Sequence, residues 1–303
     1  MSTPDLSRFR RLAKEGSWII IGQIISMIGA LVLVRVLTEH LDPSQYGQLA
    51  LVLTLGTLIC QVAYSGSMPG IMRYYAIAAE KGETSDYMMA AWRMMLRGTF
   101  IAFALSVMLL LGILFLGKES WVGLTVITII FSVLSSCNST LNMIQNAARQ
   151  RRVVSIHGSL DAWLKVLFAL GLLTWLGNFS EVVVIGYVLS LLLILVSQII
   201  FIQRLIPRQP CQPSAVGNCG PWMNQIWQYS KPFVFFNIFT WIQASSDRWA
   251  LETHASTQDV GFYAVLMQLS YTPIAILTGL TVTFISPILF QRSGDASETS
   301  RNS

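Results

Sequence analysis

Charged side chains at isolated positions inside long apolar runs are the residues of this sequence best suited to chemistry. Lys165 and Asp161 stand four residues apart and therefore share one face of a helix. Such a lysine could bind an anionic group, and the neighbouring carboxylate would modulate the lysine. The alternative interpretation is an ion pair near the end of a helix, whose lysine extends toward polar surroundings.

Two arginines, Arg35 and Arg248, each end an apolar run and form a second candidate pair for anion binding. Guanidinium groups suit phosphate oxygens because they donate two parallel hydrogen bonds. The alternative interpretation is that both arginines only anchor their helices, with Asp247 neutralising Arg248 locally.

Amides within or beside the apolar runs are the third group of candidates. They could line a path for a polyhydroxylated ligand such as a sugar, or bond neighbouring helices together. Asn138 and Asn142 share a helical face through their spacing of four residues. The other candidate amides are Gln23, Gln61, Gln145, Asn237 and Gln243.

Catalytic signatures are absent from the sequence. It contains no P-loop, no GxSxG, no HExxH and no paired-aspartate metal motif. We therefore predict no catalytic residues, no metal site, no cofactor and no enzymatic activity. The net charge of +5 does not indicate nucleic-acid binding, because the basic residues flank apolar runs as the positive-inside rule describes.

The elements that must position these residues are membrane-spanning helices. Hydrophobic residues make up 53% of the chain and charged residues 12%, about half the charged fraction of soluble domains. Runs of about 20 apolar residues can cross the hydrocarbon core as helices, which satisfy their own backbone hydrogen bonds. We predict an all-α integral membrane protein with eight transmembrane helices. The predicted spans are 18–37, 46–64, 98–116, 121–144, 160–176, 182–202, 233–250 and 260–290.

Basic residues give the orientation of these spans. Most of the 20 lysines and arginines fall on one side of the predicted membrane, and the other side has only Arg35, Lys118 and Arg248. The alternation holds across all eight spans, so we predict that both termini are cytoplasmic. Residues 71–97 on the basic side could lie along the membrane surface as an amphipathic helix.

An internal repeat indicates two lobes. VRVLTEHLDPSQYGQLALVLTL, from Val34, and DRWALETHASTQDVGFYAVLMQL, from Asp247, share a basic residue, a histidine and a Gly–aromatic pair in the same order. Six predicted spans separate the copies, so both have the same orientation, as in a parallel-repeat transporter. We predict a six-helix first lobe at 1–206, a cytoplasmic linker at 207–231, a partial second lobe of two helices at 232–291 and a polar tail at 292–303.

The first copy of the repeat, followed by GIMRYYAIAAEKGE, resembles the polysaccharide-exporter branch of the multidrug/oligosaccharidyl-lipid/polysaccharide flippase superfamily. The second copy, continued through SYTPIAILTGLTVTFISPILFQR, resembles that family's seventh and eighth helices. Members usually have twelve to fourteen spans, so we expect this chain to be truncated at its C-terminus.

The resemblance implies a bacterial inner-membrane flippase that moves a polyprenyl-diphosphate-linked oligosaccharide to the outer leaflet. Its expected partners are that substrate, membrane lipids, other polysaccharide-assembly proteins and a second chain that supplies the missing helices. The alternatives are a cation-coupled multidrug exporter of the related branch, an inactive fragment, and a membrane-embedded glycan-assembly protein.

Overall fold

A computed structural model describes residues 6–148, 150–203, 219–274 and 278, with side chains from residue 16 onward. The described backbone is helical and contains no strand. A short 3₁₀ turn, Glu119–Trp121, precedes α5, and residues 257–274 are helical and are called α9. The other helices are α1 Leu6–His40, α2 Pro43–Tyr64, α3 Met68–Glu80, α4 Thr84–Phe115, α5 Val122–Ala147, α6 Arg151–Leu176, α7 Ser180–Gln203 and α8 Gly220–His254.

Among the described residues, six helical segments are long and apolar enough to cross a membrane, and they correspond to the first six predicted spans. The all-α membrane fold is therefore confirmed. The six segments are Gly16–His40, Pro43–Tyr64, Thr84–Phe115, Glu119–Ala147, Arg151–Leu176 and Ser180–Gln203.

The seventh and eighth predicted spans are not among these six segments. The seventh lies inside α8, which is not among the six because amides, serines and an Asp–Arg pair interrupt its apolar run. The eighth begins in α9, but its remainder falls on 275–277 and 279–290, outside the described residues. Eight spans were predicted, and the part of the chain that the structure describes contains six.

Two helices begin earlier than the apolar runs predict. Helix α4 starts at Thr84, so residues 84–97 belong to a spanning helix and only α3 remains as a short separate helix. Helix α8 starts at Gly220, so the last part of the predicted linker is helical. Residues 207–218 of that linker and the tail 292–303 lie outside the described residues. The division into lobes stays a prediction.

Helices α1 and α6 pack closely because α1 presents glycines to α6. A methyl group on Gly22 would lie 2.8 Å from Cβ of Ser155, and one on Gly29 would lie 3.0 Å from Cβ of Ala162. The hydroxyl of Ser159 lies 2.9 Å from the Ser155 carbonyl of its own helix and 3.2 Å from the Gly22 carbonyl of α1, so it can donate to either. Small residues and hydroxyls of this kind hold membrane helices together where lipid offers no hydrophobic drive.

The two copies of the repeat meet at equivalent glycines. Each copy forms a helix, a short turn and a second helix: α1 with α2, and α8 with α9. A methyl group on Gly47 of α2 would lie 1.9 Å from the Thr257 carbonyl oxygen, and one on Gly261 of α9 would lie 2.0 Å from the Pro43 carbonyl oxygen. The contact is reciprocal, as a two-fold relation between the copies requires.

Candidate functional site

A cavity of about 460 Å³ lies between α2, α3, α5 and α8. Its lining comes from the C-terminal half of α2, the start of α3, residues 131–143 of α5 and the middle of α8. These parts surround the end of the molecule where α2 turns into α3, and the opposite end is where Gly47 and Gly261 meet. The lining residues are Thr57, Cys60, Gln61, Ser65, Met68, Pro69, Phe131, Ser132, Ser135, Ser136, Ser139, Met143, Phe233, Phe236 and Asn237.

Serines of α5 form one polar wall of this cavity. Ser132, Ser135, Ser136 and Ser139 recur at helical spacing and therefore share one face of α5. The Ser136 hydroxyl donates a 3.0 Å hydrogen bond to the Ser132 carbonyl, which satisfies the donor within the helix. Its oxygen lone pairs remain able to accept a hydrogen bond from a ligand.

Amides and a hydroxyl complete the polar lining. Oε1 of Gln61 and Oγ of Ser65 on the α2 side are buried and have no hydrogen-bond partner among the described residues. Asn237 contributes an amide from α8. Buried polar atoms without partners are uncommon in proteins, so these atoms are available to a bound molecule or to water.

The rest of the lining is apolar and aromatic, and the described lining residues carry no charge. Phe131, Phe233 and Phe236 supply aromatic rings, and Met68 and Met143 supply flexible thioethers. Neutral hydroxyls and amides beside aromatic rings match a polyhydroxylated ligand, because its hydroxyls can pair and its C–H faces can pack.

The predicted amide candidates are not all brought to this cavity. Asn237 lines it. Asn142 accepts a 2.8 Å hydrogen bond from Gln198 of α7 and therefore joins two helices. Asn138 has a buried Oδ1 without a partner in the described part of the chain, but it does not line the cavity. Gln23 is exposed on α1.

Lys165 and Asp161 form an ion pair near the middle of α6. The lysine Nζ lies 2.6 Å from Asp161 Oδ2, with both side chains largely buried. Asp161 Oδ1 accepts a 3.0 Å hydrogen bond from Ser190 of α7. Lys165 Nζ also lies 5.6 Å from the Phe131 ring centroid, so the pair sits behind the cavity wall. The ion-pair interpretation of the sequence placed Lys165 and Asp161 near the end of a helix, whereas the structure places them near the middle of α6.

The two predicted arginines lie away from the cavity. Arg35 is largely exposed and pairs with Glu39 on its own helix at 2.5 Å. Arg248 is half-buried in α8, and its Nε has no hydrogen-bond partner within the described residues. The structure therefore brings neither Arg35 nor Arg248 together with Asn237.

The serine wall and the aromatic rings are site features that the sequence analysis did not select. The signal was present, because serines at 132, 135, 136 and 139 recur on one face of α5. Single serines in a membrane helix also stabilise packing, so this recurrence alone does not reveal which neighbours face it.

A model of the family described as "Polysaccharide biosynthesis protein" matches residues 12–292, which is nearly the whole chain. The chain belongs to this family. The resemblance noted in the sequence is thereby confirmed, and this member of the polysaccharide biosynthesis family is a multi-pass membrane protein. No curated protein and no solved structure matches the chain.

The cavity of this family member is expected to be reachable from one end only. A single cysteine at Ser135, placed in a chain whose native cysteines are replaced by serine, should react with an impermeant maleimide added at the α2–α3 end. Reaction from the opposite end should be at least about tenfold slower, because α2 and α9 are in contact there. Faster labelling from the opposite end would contradict this arrangement.

The control for this labelling is Ser106→Cys. Ser106 is buried in α4 and does not line the cavity, so its cysteine should react slowly from both ends. The measurement is the labelling rate in sealed vesicles of each orientation.

Proposed function

We propose that this protein is a flippase for a polyprenyl-diphosphate-linked oligosaccharide, moving the glycan from the cytoplasmic to the outer leaflet. The observation that carries the proposal is the cavity: a neutral, hydroxyl- and amide-lined chamber inside a membrane protein of polysaccharide biosynthesis. A glycan cannot cross hydrocarbon unaided, because each unpaired polar group costs free energy there.

The chemistry of the lining fits a glycan passenger. Serine oxygens of α5 can accept hydrogen bonds from sugar hydroxyls, and Asn237 can both donate and accept. The polyprenyl tail needs no protein cavity, since lipid solvates it. Release at the outer leaflet would require α2 and α9 to separate at Gly47 and Gly261, which makes that contact the gate of the proposed cycle.

The proposed setting is the bacterial inner membrane with both termini in the cytoplasm. The support is the concentration of basic residues at the α2–α3 end, which the positive-inside rule assigns to the cytoplasm. The cavity would then face the cytoplasm, where such a substrate is assembled. The other partners named above, including a second chain, remain predictions.

The observations do not favour the cation-coupled drug exporter. Such a transporter needs an intramembrane carboxylate that is free to bind the coupling ion. Asp161 is engaged by Lys165 and Ser190, and the cavity residues that the structure describes include no carboxylate.

Transport should depend on the polar atoms of the cavity. In a strain that lacks its own polysaccharide flippase, Asn237→Leu and Gln61→Leu are each expected to reduce the surface polysaccharide restored by this chain by about tenfold. The reason is that each variant leaves sugar hydroxyls unpaired, at a cost of about 1–3 kcal/mol.

The matched control is Gln23→Leu, which removes an amide that is exposed on α1 and away from the cavity. It should restore as much polysaccharide as the unmodified chain, with membrane levels of all variants checked by immunoblot. Equal restoration by all three variants would contradict the proposed site.

A further inference from the structure

A chain of aromatic rings runs from the cavity along the α3–α8 interface. Phe233, which lines the cavity, stands 5.7 Å from Tyr229, centroid to centroid. Tyr229 in turn contacts Tyr74 of α3 at 6.1 Å, and Tyr74 contacts Trp222 at 6.3 Å. The rings form a continuous path from the cavity toward the start of α8.

Arg73 lies on this path with its guanidinium carbon 4.3 Å from the Tyr229 ring centroid and 5.8 Å from that of Tyr74. Its side chain is exposed, and it has no ion-pair partner within the residues that the structure describes. Stacking on an aromatic face leaves the N–H edge of a guanidinium free to donate. Lys81 provides a second cation nearby, 5.6 Å from the Trp222 ring.

The position of Arg73 relative to the cavity is held by tight packing of α3 on α8. The Gly70 amide donates a 2.8 Å hydrogen bond to the buried Ser230 hydroxyl. A methyl group on Gly70 would lie 2.6 Å from the Ile226 carbonyl oxygen. Pro69 lines the cavity, and Arg73 follows it by four residues on the same face of α3, about one helical turn away.

We propose that Arg73 binds the phosphate group of the substrate at the mouth of the cavity, an inference that rests on the proposed flippase function. The lining residues that the structure describes are all neutral, which suits the glycan but not a diphosphate. Arg73 supplies an exposed guanidinium that stacks on Tyr229 and lies about one helical turn from the lining residue Pro69. The glycan would enter the cavity along Tyr229 and Phe233 while the phosphates stay on Arg73.

The test is direct binding of undecaprenyl diphosphate to the purified full chain in phosphatidylcholine nanodiscs. Arg73→Gln is expected to weaken binding by about tenfold or more, because it removes a charge-assisted, bidentate contact. Arg73→Lys should recover only part of the affinity, because an ammonium keeps the charge but not the planar fork. The matched control is Arg97→Gln, which removes an exposed cation of α4 that is not part of the aromatic path.

Two further binding measurements distinguish the substrate's phosphates from phospholipid headgroups as the ligand of Arg73. Undecaprenol, which has no phosphate, should bind the unmodified chain and Arg73→Gln equally. Phosphatidylglycerol at an equal mole fraction should not displace the diphosphate; if it does, the site serves phospholipid headgroups and the proposal is overturned.

Other outcomes also decide the question. Equal affinity of the unmodified chain and Arg73→Gln, or an equal loss in Arg97→Gln, would overturn the role of Arg73 while leaving the flippase proposal intact. No binding of undecaprenyl diphosphate by the unmodified chain would instead count against the flippase proposal itself.

Discussion

Gly47→Val and Gly261→Val are each expected to open the end of the molecule that α2 and α9 close. In both cases the new side chain would meet a backbone carbonyl, of Thr257 or of Pro43, at about half of a normal contact distance. A backbone atom cannot rotate aside as a side chain can, so the helices must move apart. Overpacking of this kind costs about 1–3 kcal/mol.

The measurement is labelling of the Ser135→Cys reporter from the end that is normally closed. Each valine variant should raise that rate by at least about tenfold, which corresponds to a shift of about 1.4 kcal/mol toward the open arrangement. Because the contact is reciprocal, the double variant should raise it little further, since one valine already separates the helices. The control is Gly123→Val, because a methyl group on Gly123 meets nothing within 4 Å. An unchanged labelling rate in either single variant would show that the contact between α2 and α9 does not close this end.

The fold was predictable where one physical signal dominates. Apolar runs longer than the bilayer's thickness identify helices without reference to any partner, and six of them correspond to spans in the structure. The start of α4 was not predicted because residues 84–97, about its first four turns, mix charges with apolar residues. A hydropathy window detects the part of a helix that crosses the membrane and not its continuation beyond the membrane. The low apolarity of α8 has a related cause, since residues such as Asn237 face a cavity rather than lipid.

The site was less predictable because it depends on which faces meet. Sequence reasoning ranks polar residues in a membrane by their desolvation cost, which selects Lys165 and Arg248 ahead of serines. The structure pairs Lys165 within its own helix and places the uncharged Ser132 on the cavity. Arg73 is one of the many basic residues on the predicted cytoplasmic side, and the sequence does not distinguish it from the others. Its contact with Tyr229, which joins residues far apart in the sequence, is visible only in the structure. The sequence places Gly47 and Gly261 at equivalent positions of the repeat. Their contact with each other's helices is visible only in the structure.

Asp161→Leu is expected to be among the most damaging single substitutions in the chain. It leaves the Lys165 ammonium without its 2.6 Å partner in the middle of α6. It also removes the carboxylate acceptor of the Ser190 hydroxyl, which keeps only the Asp161 backbone carbonyl at 3.2 Å. Removing one member of a buried ion pair costs about 3–5 kcal/mol. We therefore expect a large loss of folded protein, measured by the yield of monodisperse protein after extraction and by its thermal unfolding in detergent.

The double variant Asp161→Leu/Lys165→Met separates a structural ion pair from a substrate-binding lysine. If the pair only joins α6 to α7, removing both charges should recover most of the stability, because two well-packed apolar residues often replace a buried pair without loss. Transport in the complementation assay should then recover with it. Stable double-variant protein that fails to transport would instead give Lys165 a direct role in binding the anionic substrate. We expect recovery, because both Asp161 oxygens are engaged within the α6–α7 interface and the lysine is held to the aspartate behind Phe131.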